Sequence, residues 1–185
     1  MVKWLKNCFI IVLTICSLVI LCISYLGLNY PIKELAIITK YSQENNLDIA
    51  MVFSIINIES SFRPNVKSKA DAIGLMQLKV ATANDMAQMQ NESVVTEIDL
   101  FDKEINIKYG CRYLRYLIDY YDNEKLALCA YNAGLGNVNT WLLNKNYLDS
   151  DGMLIIIPYP ETEQYLNKYE KNIKIYQKYD NLGLI

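Results

Sequence analysis

Val52-Phe53-Ser54-Ile55-Ile56-Asn57-Ile58-Glu59-Ser60-Ser61-Phe62 is the stretch on which the reading of this chain turns. Ile49, Val52, Phe53 and Ile56 recur at i, i+3, i+4 and i+7, the spacing of one face of an α-helix. Asp48 stands before the run as a candidate N-cap, and Pro64 ends it from downstream. Three residues beyond Ile56 the stripe reaches Glu59, a carboxylate where the pattern calls for a core side chain. Two effects would raise its pKa there. Desolvation on a buried face disfavours the charged form, and the last turn of a helix presents the negative end of the macrodipole. A carboxyl that holds its proton near neutrality can donate it to a leaving group. The competing reading is a helix-end glutamate that drifts out of phase and stays partly exposed.

Working outward, the same spacing predicts a first helix over residues 32–46 and the second from Asp48 to about Ser60. Residues 63–73 read as a polar loop, 74–89 as a further helix, and 90–101 as another loop. Asp102 should cap a long helix with Ile107, Cys111, Leu114 and Ile118 on one stripe. Residues 124–132 should form a short apolar helix stopped by Gly134, and 162–179 the last one. Alternating β-branched runs are few, so the predicted class is all-α.

At the N-terminus, residues 8–28 carry no charge and match the length of about 20 residues that a bilayer-spanning helix needs. Lys3 and Lys6 precede them, which favours a cytoplasmic tail over residues 1–7 and an exported remainder. A cleaved signal sequence is the alternative, although no A-x-A site follows the apolar run. Residues 29–32 then form a short connector, 33–180 the folded domain and 181–185 a tail. Even five extended residues, one more than this connector holds, span at most about 15–18 Å, so the domain is expected to work close to the cytoplasmic membrane.

The 185 residues are 52% hydrophobic with a formal net charge of −2 and no basic run, which argues against a nucleic-acid partner. There is no histidine, which excludes Ser-His and Cys-His catalysis and most zinc sites. Of five cysteines, Cys8, Cys16 and Cys22 lie in the apolar segment. Cys111 and Cys129 remain, both in apolar helical context, and sequence leaves open whether they pair.

Beyond Glu59-Ser60-Ser61-Phe62-x-Pro64 come Ser68, then Ala72-x-Gly74-Leu75-Met76-Gln77-Leu78 and Ala81-Thr82-Ala83. Further on stand Leu100-Phe101-Asp102-x-Glu104-Ile105-Asn106-Ile107 with Gly110-x-Arg112-Tyr113-Leu114, then Ala127-Leu128-x-Ala130-Tyr131-Asn132-Ala133-Gly134. A last group is Ile157-Pro158-Tyr159-x-Glu161-Thr162-x-x-Tyr165. Together, over most of 33–179 and in this order, they resemble the signature of soluble-lytic-transglycosylase-type domains. The resemblance implies a lysozyme-like helical fold acting on the glycan strands of bacterial peptidoglycan, with no cofactor and no metal. It implies that Glu59 is the acid/base residue, and that the 6-hydroxyl of N-acetylmuramic acid replaces water to give a 1,6-anhydro product. A single carboxylate then suffices.

By the same resemblance Ser68 and Gln77 should hydrogen-bond the glycan, and Met76 should line the groove or pack in the core. Tyr131 should orient the Glu59 carboxyl, Asn132 should hold sugar or cap its helix, and Tyr165 should border the acid. Departures from the family pattern are Asp71 for a usual glycine, Lys79 for a frequent methionine, and Val80 and Lys103 for prolines. Asp71 is the nearest candidate for a second acid. If it faced Glu59, a hydrolytic muramidase would become the alternative; a non-catalytic glycan-binding or scaffold protein is the other. An envelope-spanning machine is a further expected partner.

Overall fold

The computed structural model describes residues 2–185; Met1 and the side chains at positions 2, 3, 5 and 8 lie outside the described residues. The expected roles of Lys3 and Cys8 fall on those positions. The chain divides into two compact units, Met1–Ile32 and Lys33–Ile185. The first is the helix α1 (Val2–Asn29), in which Phe9–Asn29 is long and apolar enough to cross a membrane, with its apolar side chains exposed. The second unit holds α2 (Leu35–Glu44), α3 (Ile49–Ser60), α4 (Val80–Met89), α5 (Lys103–Tyr121), α6 (Glu124–Ala133), α7 (Leu135–Leu142) and α8 (Pro160–Asn181). Among the described residues there is no strand; isolated bridges pair Lys67 with Ile73, Ile73 with Leu78, and Leu148 with Leu154.

The Asp48 carboxylate accepts the Ala50 N–H at 2.8 Å, which starts α3 as its sequence predicts. Ala50 to Ile56 are then all buried, so α3 is a core helix enclosed on every side and not a helix with one apolar stripe. Its main partner is α8: the Phe53 ring stands 5.2 Å from Tyr176 and 5.8 Å from Phe62. Asp102 accepts the Ile105 N–H at the head of α5, and Val80 and Lys103 occupy the first helical positions of α4 and α5. That position suits proline, whose missing N–H has no partner there anyway. Gly134, at φ +90°, closes α6 by donating its N–H to Ala130 O at 2.8 Å, and α7 begins directly after it.

Two expectations need correcting. The helix foreseen over 74–89 begins only at Val80; residues 73–78 form a tight turn closed by Ile73 N–H to Leu78 O and Leu78 N–H to Ile73 O. Helix α7, with Val138 and Trp141 in the core, was not foreseen, because Gly136 and two asparagines hide its two buried positions. A second apolar cluster, including Ile73, Leu78, Met86, Leu100 and Tyr109, holds the 73–78 turn against α4 and α5.

Candidate active site

A cleft of about 680 Å³ opens where the 63–79 loop and the head of α4 face the end of α6 and the start of α8. Glu59, in the last turn of α3, reaches into it. The carboxyl is surrounded by protein on most sides, and burial pushes its pKa up from 4.5 to about 7. Glu161, on the first turn of α8 and also lining the cleft, acts in the same direction. The Tyr165 hydroxyl and the Lys168 ammonium oppose them by favouring the carboxylate. Tyr165 is buried, and its hydroxyl faces Glu59 without completing a hydrogen bond of good geometry to any described group.

The turn that brings Gln77 into the cleft is held through its neighbour Met76. The Met76 N–H donates to Asn106 Oδ1 at 2.8 Å, and the Met76 carbonyl accepts the Tyr131 hydroxyl at 2.8 Å. The Met76 side chain packs against Gly110, where a β-carbon would overlap its Sδ. Met76 is fully buried, so it belongs to the core and does not line the groove as a substrate contact. Asn106, itself buried, also donates through Nδ2 to Ile73 O and Leu100 O, each at 2.8 Å. One amide thus ties α5 to both ends of the turn. Ser60 completes the frame by donating to Leu75 O at 2.8 Å, next to the acid in sequence.

Gln77 sits at φ +48°, outside any helix. Its Nε2 donates to Gly74 O at 2.8 Å, which leaves its amide oxygen without a partner among the described residues and available to a ligand N–H or hydroxyl. Ser68 lines the cleft, but its Oγ accepts the Ala70 and Ala72 N–H groups at 3.2 and 3.1 Å, so it also shapes its own loop. Asp71 has φ +60°, a left-handed conformation that explains a usual glycine at this position. Its side chain is 80% exposed and pairs with Lys67 at 3.1 Å. It is not a cleft residue, and the second carboxylate there is Glu161.

Tyr131 and Asn132 both line the cleft, as their sequence pattern suggests. The Tyr131 hydroxyl, however, is committed to the Met76 carbonyl, so Tyr131 positions the Gln77 turn, and Tyr165 is the tyrosine that addresses the acid. Asn132 accepts from Thr162 Oγ1 at 2.8 Å, which joins α6 to α8; Gly134, not Asn132, closes its helix. Cys111 and Cys129 are buried free thiols, not a disulfide. Sequence reasoning assigned no role to Asn106, Ser60 or Glu161. The signal for Asn106 was available: with Tyr109, Gly110 and Tyr113 it repeats at i, i+3, i+4 and i+7 on α5.

The soluble lytic murein transglycosylase of Salmonella typhimurium is 32% identical over 154 residues, covering 82% of this chain and 23% of that protein. A membrane-bound lytic murein transglycosylase C of Photorhabdus laumondii is 36% identical over 116 residues, 57% of this chain and 32% of that protein. An inactive glutamate-to-glutamine mutant of the lytic transglycosylase Slt from Pseudomonas aeruginosa superimposes with a TM-score of 0.74 at 29% identity, over 86% of this chain and 26% of that one. The 70-kDa soluble lytic transglycosylase in complex with bulgecin A gives 0.72 at 31% identity, over 81% and 25%. This chain therefore spans about a quarter to a third of the length of these curated relatives. The transglycosylase SLT domain model matches residues 36–153, and the chain belongs to that family.

Proposed function

We propose that the domain is a peptidoglycan lytic transglycosylase with Glu59 as its general acid and base. The observation that carries this reading is a cleft-lining carboxyl poised at about 7 by burial. Near neutral pH such a group is present in both forms, the condition for donating and then recovering a proton in one turnover. Protonated Glu59 gives its proton to the oxygen linking N-acetylmuramic acid to N-acetylglucosamine as the C1–O bond breaks. The carboxylate then takes the proton of the muramic 6-hydroxyl as O6 bonds to C1. Glu59 ends protonated, no water is consumed, and the products are a 1,6-anhydro sugar and a free 4-hydroxyl. Holding the hydroxyl within the same ring makes the second step intramolecular.

Glu161 favours a second reading, because hydrolysis on this fold would need another carboxylate about 5–9 Å from the acid. Mass spectrometry of the fragments released from purified sacculi separates the two. Anhydro ends one water lighter than reducing ends support the transglycosylase; reducing ends alone overturn it in favour of a muramidase. We further read α1 as a single-pass anchor in the cytoplasmic membrane that places the domain on the outer side. Its length, apolar surface and preceding lysines support this, and protection of the domain from protease in intact spheroplasts would refute it.

A further inference from the structure

Four charged side chains line the cleft, and they are segregated. Glu59 and Glu161 come from α3 and α8; Lys69 and Lys79 come from the loop and the head of α4 that form the opposing wall. Other lysines of the domain are spoken for: Lys67 pairs with Asp71 and Glu97, Lys103 with Glu34, and Lys108 with Glu92. Lys69 and Lys79 make no ion pair among the described residues, and neither is among the charges that shift Glu59. They are exposed cations on a cleft wall with no ion pair among the described residues.

Lys79 is also badly placed for stability. It is the N-cap of α4, with φ −83° and ψ 146°, and makes no side-chain cap. A serine or aspartate would satisfy a free N–H there, whereas an ammonium meets the positive end of the helix dipole. A residue that costs helix stability at a groove wall is the pattern expected when binding sets the choice.

We propose that Lys79, assisted by Lys69, is a specificity determinant that binds a carboxylate of the glycan strand beside the bond to be cleaved. This rests on the transglycosylase reading of the same cleft. Two sources present that chemistry: the carboxylates of the peptide stem, and the lactyl carboxylate of muramic acid once its stem has been removed. A neutral glycan offers neither and gains nothing from this wall.

The test uses the full chain in detergent and three soluble substrates: strands with intact stems, strands stripped of stems, and strands of either kind whose carboxylates have been converted to amides. For Lys79→Met the expected result is a KM raised about three- to fivefold on carboxylate-bearing strands, the size of one exposed charge contact, with kcat retained. The penalty should disappear on amidated strands, and raising the salt should close the gap between wild type and variant. If it appears only with intact stems, the stem carboxylates are the ligand; if only with stripped strands, the lactyl group is. Lys79→Ser should raise the melting temperature while raising KM, an outcome that a structural lysine would not produce. The same KM penalty on amidated strands, or none on any strand, overturns the proposal. Equilibrium binding of Glu59→Gln to each strand type, with and without Lys79→Met, keeps the two readings apart. Should wild type release no anhydro product while Lys79→Met still weakens that binding, the catalytic reading fails and this one stands.

Discussion

Replacing Glu59 by glutamine should slow turnover by orders of magnitude and, at alkaline pH, make the protein more stable. The carboxyl is held at about 7 against 4.5 for an ordinary glutamate, so the folded state binds the proton more tightly than the unfolded one. Below about pH 4.5 the acid is protonated in both states and contributes no difference. As pH rises from 4.5 the unfolded chain gives up its proton first, so stability falls; the loss is complete once pH passes about 7. A shift of this size corresponds to roughly 3 kcal/mol at most. Because the carboxyl opens onto a solvent-lined cleft, about 1–3 kcal/mol is the expected range. Glutamine keeps the shape and has no proton to lose. Urea unfolding followed through the buried Trp141 should therefore show wild type and Glu59→Gln nearly equal at pH 4, with the variant pulling ahead between pH 5 and 7 and holding its lead at pH 8. Titrating groups that do not act on Glu59 are common to both proteins and cancel. Anhydro-product formation should fall by about 10²–10⁴-fold in the variant. Parallel stability curves from pH 4 to 8, or a glutamine variant that is less stable at pH 8, would refute the claim that burial holds this proton.

Asn106→Ala removes three buried hydrogen bonds to main-chain groups and should lower unfolding free energy by about 3–5 kcal/mol, read by urea titration. Tyr165→Phe deletes the hydroxyl that favours the Glu59 carboxylate, so the alkaline limb of the pH–rate profile should move to higher pH while the fold melts near the wild-type temperature. Gly74→Ala places a β-carbon 2.5 Å from Leu100 O, and against Asn106 Nδ2, at a φ of +78°, and should cost about 3 kcal/mol or more in the same titration. Burial pushes the Cys129 thiol up to about 11 and Cys111 higher still, so both should resist iodoacetamide at pH 8 until denaturant is added.

The parts of the fold that were legible in the sequence are those set by residues a few positions apart. Asp48 and Asp102 cap their own helices, Gly134 stops α6 through its own N–H, and Glu59 follows α3 to a largely buried place at the cleft. The parts that were not legible are set by contacts across the chain. GLMQLKVATANDM has good helix formers throughout, yet its first five residues turn back on themselves, because Asn106, 30 positions from Met76 in sequence, supplies the hydrogen bonds a helix would have supplied. Proximity in a motif left Met76 open between groove and core for the same reason, and its full burial places it in the core. Its neighbour Gln77 needs a fixed backbone, and Gly110 and Tyr131, which fix it, are distant in sequence. Asp71 misled in the opposite direction: a carboxylate near the acid along the chain takes a left-handed backbone and pairs outward with Lys67, while Glu161, a hundred residues away, enters the cleft. Proton affinity at this site is thus governed largely by local burial that a hydrophobic pattern can reveal. The placement of the groups around the proton is governed by long-range pairing, so substitutions at Asn106 or Gly110 should impair the site from outside the cleft.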